Sequence, residues 1–314
     1  MEIILLGTGA DIPRPERPLS SVALRMGAAT YLLDCGEGTQ LAYAASSVGL
    51  GGLRLVAITH LHADQVLGLP GLLARRGQIE GAEPLTIVGP AGLQELIVPL
   101  LRAVGTRIPY ELRFLELAGE LPGKKAPLPV VYRDELIELC WLPLDHAVPT
   151  AGFRVVEHPR PGKFSASAAR ARGLQPGPAF GQLQAGQAVT APDGTLVQPD
   201  QVVGAPRPGR ALAYVSDSGP CPALYRLLDQ VDLAVLGGGF LPEHQAVARS
   251  KKQLALRDAA RVCARSSVRR ALFTQLSPRI PDERLDHADT LVAEFSEHYR
   301  VGRSGERVTV VARD

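Results

Sequence analysis

His60, His62 and Asp64 stand at alternate positions in the stretch THLHADQVLGLPGLL. Metal-binding residue types at period two, just after an apolar run, put two imidazoles on one side of a strand end, and Asp64 continues the spacing. His146, which follows ELCWLPLD, offers a third imidazole, and Asp217, at the end of ALAYVSD, a carboxylate. These make four ligands suited to zinc, or three and a shared bridge. The chemistry such a set supports is metal-assisted hydrolysis. The residue after Asp64, where one more imidazole would extend a two-metal pattern, is Gln65.

Short apolar strands must carry these side chains. LRLVAIT reads as a buried strand that delivers His60 at its carboxyl end, and VLGLPGLLARRG as a helix with Pro70 in its first turn. Residues 2–6 form a strand turned by Gly7-Thr8-Gly9. VALRMGAATYLLDCG reads as a hairpin, residues 37–46 as a helix, PLTIVGP as a strand and 91–104 as a helix. The second half repeats the pattern. ALAYVSDSG ends at Asp217, VDLAVLGGGF ends in glycines, and VRRALFTQLSPR leads to Gln275. Strands alternating with helices, with polar residues at the strand ends, indicate an α/β layered fold with its site there. Gly7, Gly9, Gly36 and Gly38 suit tight turns near the site, and no GxGxxG opens a helix to bind a dinucleotide.

Residues 155–209 break this rhythm. The segment is rich in Pro, Gly and Ala and reads as an inserted, flexible arm within a single domain spanning 1–314, with a helix near 165–172 and a hairpin at APDGTL. The chain has 314 residues, 46% of them apolar, enough for a sizeable core. No apolar run approaches the roughly 18 residues of a bilayer span. The opening MEIILLGTGAD reads as strand and turn, not a signal peptide. Cys35, Cys140, Cys221 and Cys263 are far apart, as expected of reduced thiols in a cytoplasmic protein. A net charge of +2 is too small to imply nucleic acid, so any basic footprint must be local.

The motifs LGTGADIP, DCGEGTQ, THLHAD, GLPGLL, LTIVGPAGL, PGKF, PGPAFGQL, APRPGR, AYVSD and TQLSPR occur in this order over nearly the full length. In them the chain resembles ribonuclease Z, the tRNA 3′-processing endonuclease family of the metallo-β-lactamase superfamily. PGPAFG is the motif that ties it to this family within the superfamily. The resemblance implies an αββα four-layer sandwich with a protruding arm, a homodimer, and two metal ions that clamp an attacking water and the scissile phosphate. One ion would use His60, His62 and His146 with Asp217 bridging. The second would use Asp64 and histidines at the positions of Gln65 and Gln275, so both of its imidazoles are absent here. A neutral amide is a poor zinc ligand, and with Asp64 and Asp217 it would make at best a weak oxygen site. The expectation is therefore one zinc ion per chain and an empty or weak second site.

Other motifs depart as well. The family's HEAT motif aligns with LGGG, placing Leu236 at the histidine thought to protonate the leaving oxygen, and its HST motif aligns with QLA, placing Gln253 at that histidine. Neither side chain transfers a proton. The N-terminal loop PRPERP keeps Pro13 and Arg17 but has Pro15 and Pro18 where the family has Lys and Asn, and Ser216 replaces a glycine before Asp217. Asp64 survives as a candidate catalytic base. In the arm, Arg160, Lys163, Phe164 and Phe180 are the candidate RNA-binding residues, with tRNA or precursor tRNA the implied partner and no membrane. The reading is a ribonuclease Z-like endonuclease with weakened activity. Its alternatives are a non-catalytic RNA-binding homologue and a one-metal hydrolase of a smaller phosphodiester or ester. The intact arm argues against the last.

Overall fold

A computed structural model describes residues 1–123 and 126–313. The first half supplies β1 (Glu2–Gly7), β2 (Ser21–Met26), β3 (Ala29–Leu33), β4 (Leu53–Ala57), β5 (Leu85–Pro90) and β6 (Leu112–Leu117), with α1 (Thr39–Ala45), α2 (Ala63–Val66), α3 (Leu69–Arg76) and α4 (Leu93–Ala103) between them. Next come β7 (Val130–Arg133), β8 (Ile137–Leu144) and β9 (Thr150–Glu157). After the insertion follow β12 (Ala211–Val215), β13 (Leu233–Gly237), β14 (Arg270–Thr274), β15 (Tyr299–Val301) and β16 (Arg307–Thr309), with α7 (Pro222–Leu228), α8 (Gln245–Ser250), α9 (Leu256–Arg265) and α10 (Leu285–Ala293).

Two mixed sheets result, in the orders β16-β1-β2-β3-β4-β5-β6 and β15-β14-β13-β12-β9-β8-β7. Strand periodicity explains their stacking. In β4, Leu55 and Ala57 join the apolar cluster between the sheets, while Val56 joins the cluster beneath α1, α3 and α4. In β13, Leu233 and Val235 face the inter-sheet cluster, while Ala234 and Leu236 face the cluster packed by α7, α9 and α10. A central strand buried on both faces reads as an unbroken apolar run, as LAVLG does. The architecture is the αββα sandwich of the metallo-β-lactamase fold. Each Leu or Val fully buried in these layers is worth about 1.5–3 kcal/mol of transfer free energy.

Parallel pairing sets where the chemistry lies. β3–β4 are parallel in the first sheet, and β12–β13–β14 in the second. Their carboxyl ends release Asp34, His60, Asp217 and Gln275. Asp34 and Gln275 take left-handed backbone angles, φ 56° and 58°, as the chain leaves the sheet.

Residues Glu157–Gly209 form a compact unit of their own. They hold α5 (Ala166–Ala171), capped by the Ser165 hydroxyl, α6 (Pro178–Gln184), and the two-strand ribbon of β10 (Val189–Thr190) and β11 (Leu196–Val197). Ala169, Leu174, Leu183, Val197 and Val202 are the centre of its small core. No helix among the described residues is long and apolar enough to cross a membrane.

Candidate metal centre

β4 ends at Ala57, three residues before His60, so the two histidines of THLH sit in the loop that follows the strand. His62 is the residue from which α2 starts. The imidazoles nevertheless converge. Ring centroids are 4.7 Å apart for His60 and His62, 5.1 Å for His60 and His146, and 5.2 Å for His62 and His146. Asp217 closes the group: its Oδ2 is 3.7 Å from His60 Nε2 and 3.5 Å from His146 Nε2. One ligand atom from each of the four residues lies within 4.8 Å of all the others, so the group could hold a metal ion.

Two tautomers are fixed by neighbours. Thr59 Oγ1 donates to the Asp34 carboxylate, 2.9 Å from Oδ2, so at 3.0 Å it accepts from His60 Nδ1. The Lys252 carbonyl can only accept, so it takes the Nδ1 proton of His146 at 3.1 Å. Both Nε2 lone pairs are thereby left for the centre, and neither buried Nε2 has a partner among the described residues. Burial, and then the neighbouring His62 and His146, holds the His60 pKa well below its ordinary value. Burial lowers His146 as well. Neutral imidazoles with free nitrogens in a buried pocket fit a borderline-soft divalent ion such as zinc.

Asp217 is the electrostatic counterpart. Burial pushes its pKa up to about 7, and the hydrogen bond from Gln253 works in the opposite direction. Gln253 Nε2 donates to Asp217 Oδ2 at 2.6 Å, so this position supplies a hydrogen bond to the carboxylate.

Asp64 lies in the first turn of α2, outside the group of four, and accepts the backbone N–H of Asp11 through Oδ2 at 3.2 Å. Its charge still reaches Asp217, whose pKa it raises. Gln65 is fully buried and Gln275 is 3% exposed. Both ends of each amide lack a hydrogen-bond partner among the described residues. An uncharged amide that also carries N–H donors does not fit the role of a zinc ligand.

Leu236 lies within β13. It pairs with Val215 and Phe273 inside the sheet and is fully buried in the cluster that α9 covers, with Leu256 and Ala259. Its place is one of packing. Two of the three glycines after it have a steric reason: a Cβ at Gly237 would stand 1.8 Å from the Ser216 carbonyl, and one at Gly239 1.7 Å from that of Gln275. Arg17 is an internal tether, 4% exposed, bonded to the Ile280 carbonyl at 2.9 Å and paired with Asp282.

Several residues escaped the reading of the sequence. Asp34 accepts from Thr59 N at 2.7 Å and from Tyr214 OH at 2.8 Å, and Ser216 Oγ lies 2.7 Å from Thr59 Oγ1. Asp34, Thr59 and Ser216 thus form the outer shell of His60. The polar DCG ending an apolar strand was the available signal.

In the insertion, the rings of Phe164 and Phe180 meet at a tilt of 49°, 4.8 Å between centroids, and pack against the small core. Lys163 is exposed, and with Gln184 and Arg207 it lines a cavity of about 530 Å³. Arg160 lies 3.5 Å from Glu157 and donates to the Pro208 carbonyl at 3.2 Å.

Comparison with known proteins completes the description. Residues 14–135 match the metallo-beta-lactamase superfamily model. The chain is 36% identical over 286 residues to ribonuclease Z of Geobacillus kaustophilus, covering 90% of each. It is 40% identical over 285 residues to ribonuclease Z of Salinibacter ruber, covering 90% of this chain and 86% of the relative. The crystal structure of human tRNase Z, short form, has the same fold, with a TM-score of 0.72 at 22% identity over 99% of this chain and 100% of that one.

Proposed function

Because the chain belongs to the ribonuclease Z family of the metallo-β-lactamase superfamily, we propose that it is a tRNA 3′-end-processing endonuclease of that type, with one metal site kept, the second lost and its activity weakened. The single observation that carries this reading is the contrast between two sets of buried side chains. His60, His62, His146 and Asp217 converge, and the Nε2 atoms of His60 and His146 have no partner among the described residues. Gln65 and Gln275 offer only neutral amides.

In this reading His60, His62, His146 and Asp217 hold one zinc ion. Bound there, the metal would polarise a phosphodiester oxygen and lower the pKa of a water. The chain's own residues do the rest. Thr59 and the Lys252 carbonyl hold the two imidazole tautomers. Gln253 holds the Asp217 carboxylate. Asp64 takes the proton of the attacking water. No imidazole stands at 236 or 253 to protonate the leaving 3′ oxygen, a loss typically worth 10²–10⁴-fold. Arg160 and Lys163, on a unit braced by Phe164 and Phe180, supply phosphate contacts to tRNA. A cytoplasmic homodimer completes the reading. The free cysteines support a reducing compartment. Leu41 and Leu67, 70% and 47% exposed, are apolar groups that a second subunit would cover.

A second reading, non-catalytic RNA binding, is favoured by the same two glutamines. Single-turnover cleavage of a 3′-extended tRNA separates the two. Slow cleavage, abolished by His60→Ala, supports the endonuclease. Retained tRNA binding without cleavage at any metal concentration supports the binding protein.

A further inference from the structure

A cavity of about 240 Å³ opens between α7, α8 and α9. Its floor is apolar, built by the buried Ala248, Leu254, Ala255 and Val262. Its rim carries Tyr225, 37% exposed, and the guanidinium groups of Arg249, Arg261 and Arg265. Asp258 is the only acid in the lining. It is already engaged, accepting from Arg261 at 2.6 Å and from Gln245 at 2.9 Å. Three cations against one anion leave a local charge of +2. Among the described residues, Arg249 and Arg265 have no ion-pair partner.

One wall residue ties this cavity to the metal centre. Gln253 lines it, and the same side chain donates to Asp217 Oδ2 at 2.6 Å. The cavity therefore adjoins a metal ligand directly.

We propose that this cavity is a nucleotide subsite, which holds one unpaired nucleotide of an RNA strand next to the phosphate at the metal centre. The inference rests on the nuclease reading above and deepens it. A tyrosine face beside unpaired guanidinium groups is the combination that binds single strands: the ring stacks on a base, and the cations meet the backbone phosphates. The volume lies just under the roughly 300–1,000 Å³ of pockets for drug-sized ligands, which suits a single base with its sugar and excludes a duplex. The apolar floor meets the base, and the charged rim keeps the phosphates in water.

The test uses the full-length protein and a short fluorescent oligouridylate, with binding followed by anisotropy over a range of salt. Tyr225→Ala is expected to weaken binding about tenfold, and Tyr225→Phe, which keeps the ring, to bind as the wild type does. Arg249→Gln with Arg265→Gln should lower the slope of log affinity against log salt by about 1.4, two phosphate contacts on a single strand. Unchanged affinity in Tyr225→Ala together with an unchanged slope in the arginine pair overturns the subsite. So does uridine monophosphate competing as tightly as the oligonucleotide, which would make this a free-nucleotide site. Full-length tRNA, titrated in parallel, separates the two levels. If tRNA binds while the oligonucleotide ignores these substitutions, the subsite is wrong and the family reading stands. If tRNA does not bind while the substitutions act as expected, the family reading fails and the subsite stands.

Discussion

Gln253 donates from Nε2 to Asp217 Oδ2 at 2.6 Å, and that one oxygen also faces the free Nε2 atoms of His60, at 3.7 Å, and His146, at 3.5 Å. The amide thus orients the carboxylate toward both imidazoles and offsets part of the burial that would protonate it. Outer-shell donors of this kind typically contribute 10–100-fold to metal affinity. Gln253→Leu is expected to lose about that much zinc affinity in a chelator competition while melting as the wild type does. An affinity unchanged in that variant would show that Gln253 does not hold the ligand.

Burial pushes the Asp34 carboxyl up to about 7, against the hydrogen bonds from Thr59 and Tyr214. A raised carboxyl pKa favours the folded state when the group is protonated. That contribution is full below the unfolded value near 4, falls as pH rises through about 7, and is then flat. It amounts to at most about 4 kcal/mol. Relative to the wild type in chelator, Asp34→Asn should gain stability between pH 4 and 7 in urea titrations. A difference that does not change with pH would contradict this account.

Positions 65, 275 and 236 should respond differently to histidine. Gln65→His with Gln275→His is expected to raise metal content and speed single-turnover cleavage. Leu236→His puts an imidazole into the apolar cluster with Leu256 and Ala259 and should cost about 1–3 kcal/mol. Its check is a denaturation midpoint beside a cleavage rate. A stable, faster Leu236→His protein would mean that the side chain reaches the substrate after all.

Val156 pairs with Ala211 across β9 and β12, so the insertion leaves and re-enters the sheet at adjacent points. Replacing residues 157–209 with a short glycine turn should keep the sandwich folded. The shortened protein should lose salt-sensitive tRNA binding, read by circular dichroism and filter binding. Lys163→Ala should weaken binding while leaving the small core intact, since that core is Ala169, Leu174, Leu183, Val197 and Val202 with Phe164 and Phe180 packed against it. tRNA binding that survives the excision would place recognition elsewhere.

Much of the site was legible because its chemistry is written in residue types. Two histidines at period two, a third after a strand and an aspartate after another predicted the group that the fold assembles. The histidines lie past the strand end, yet the loop turns their rings together. Backbone partners were not legible: the Lys252 carbonyl that fixes His146 carries no side-chain signature. Nor was the Asp34–Thr59–Ser216 shell, since its members are joined only when two sheets stack. The packing of Leu236 was legible as well. Strand parity with Ala234, against Leu233 and Val235, already assigned it to the helix-covered face. Phe164 and Phe180 stood out beside glycines, but their contact with each other and with the small core has no signature in the sequence.

The central claim is one transition-metal site per chain, and elemental analysis tests it most directly. The wild-type protein, purified without chelators, saturated with zinc and desalted, should retain one zinc ion per chain. His60→Ala should retain almost none. Two tightly held zinc ions per wild-type chain would contradict the account, because Gln65 and Gln275 would then be serving in a site they are argued to have emptied.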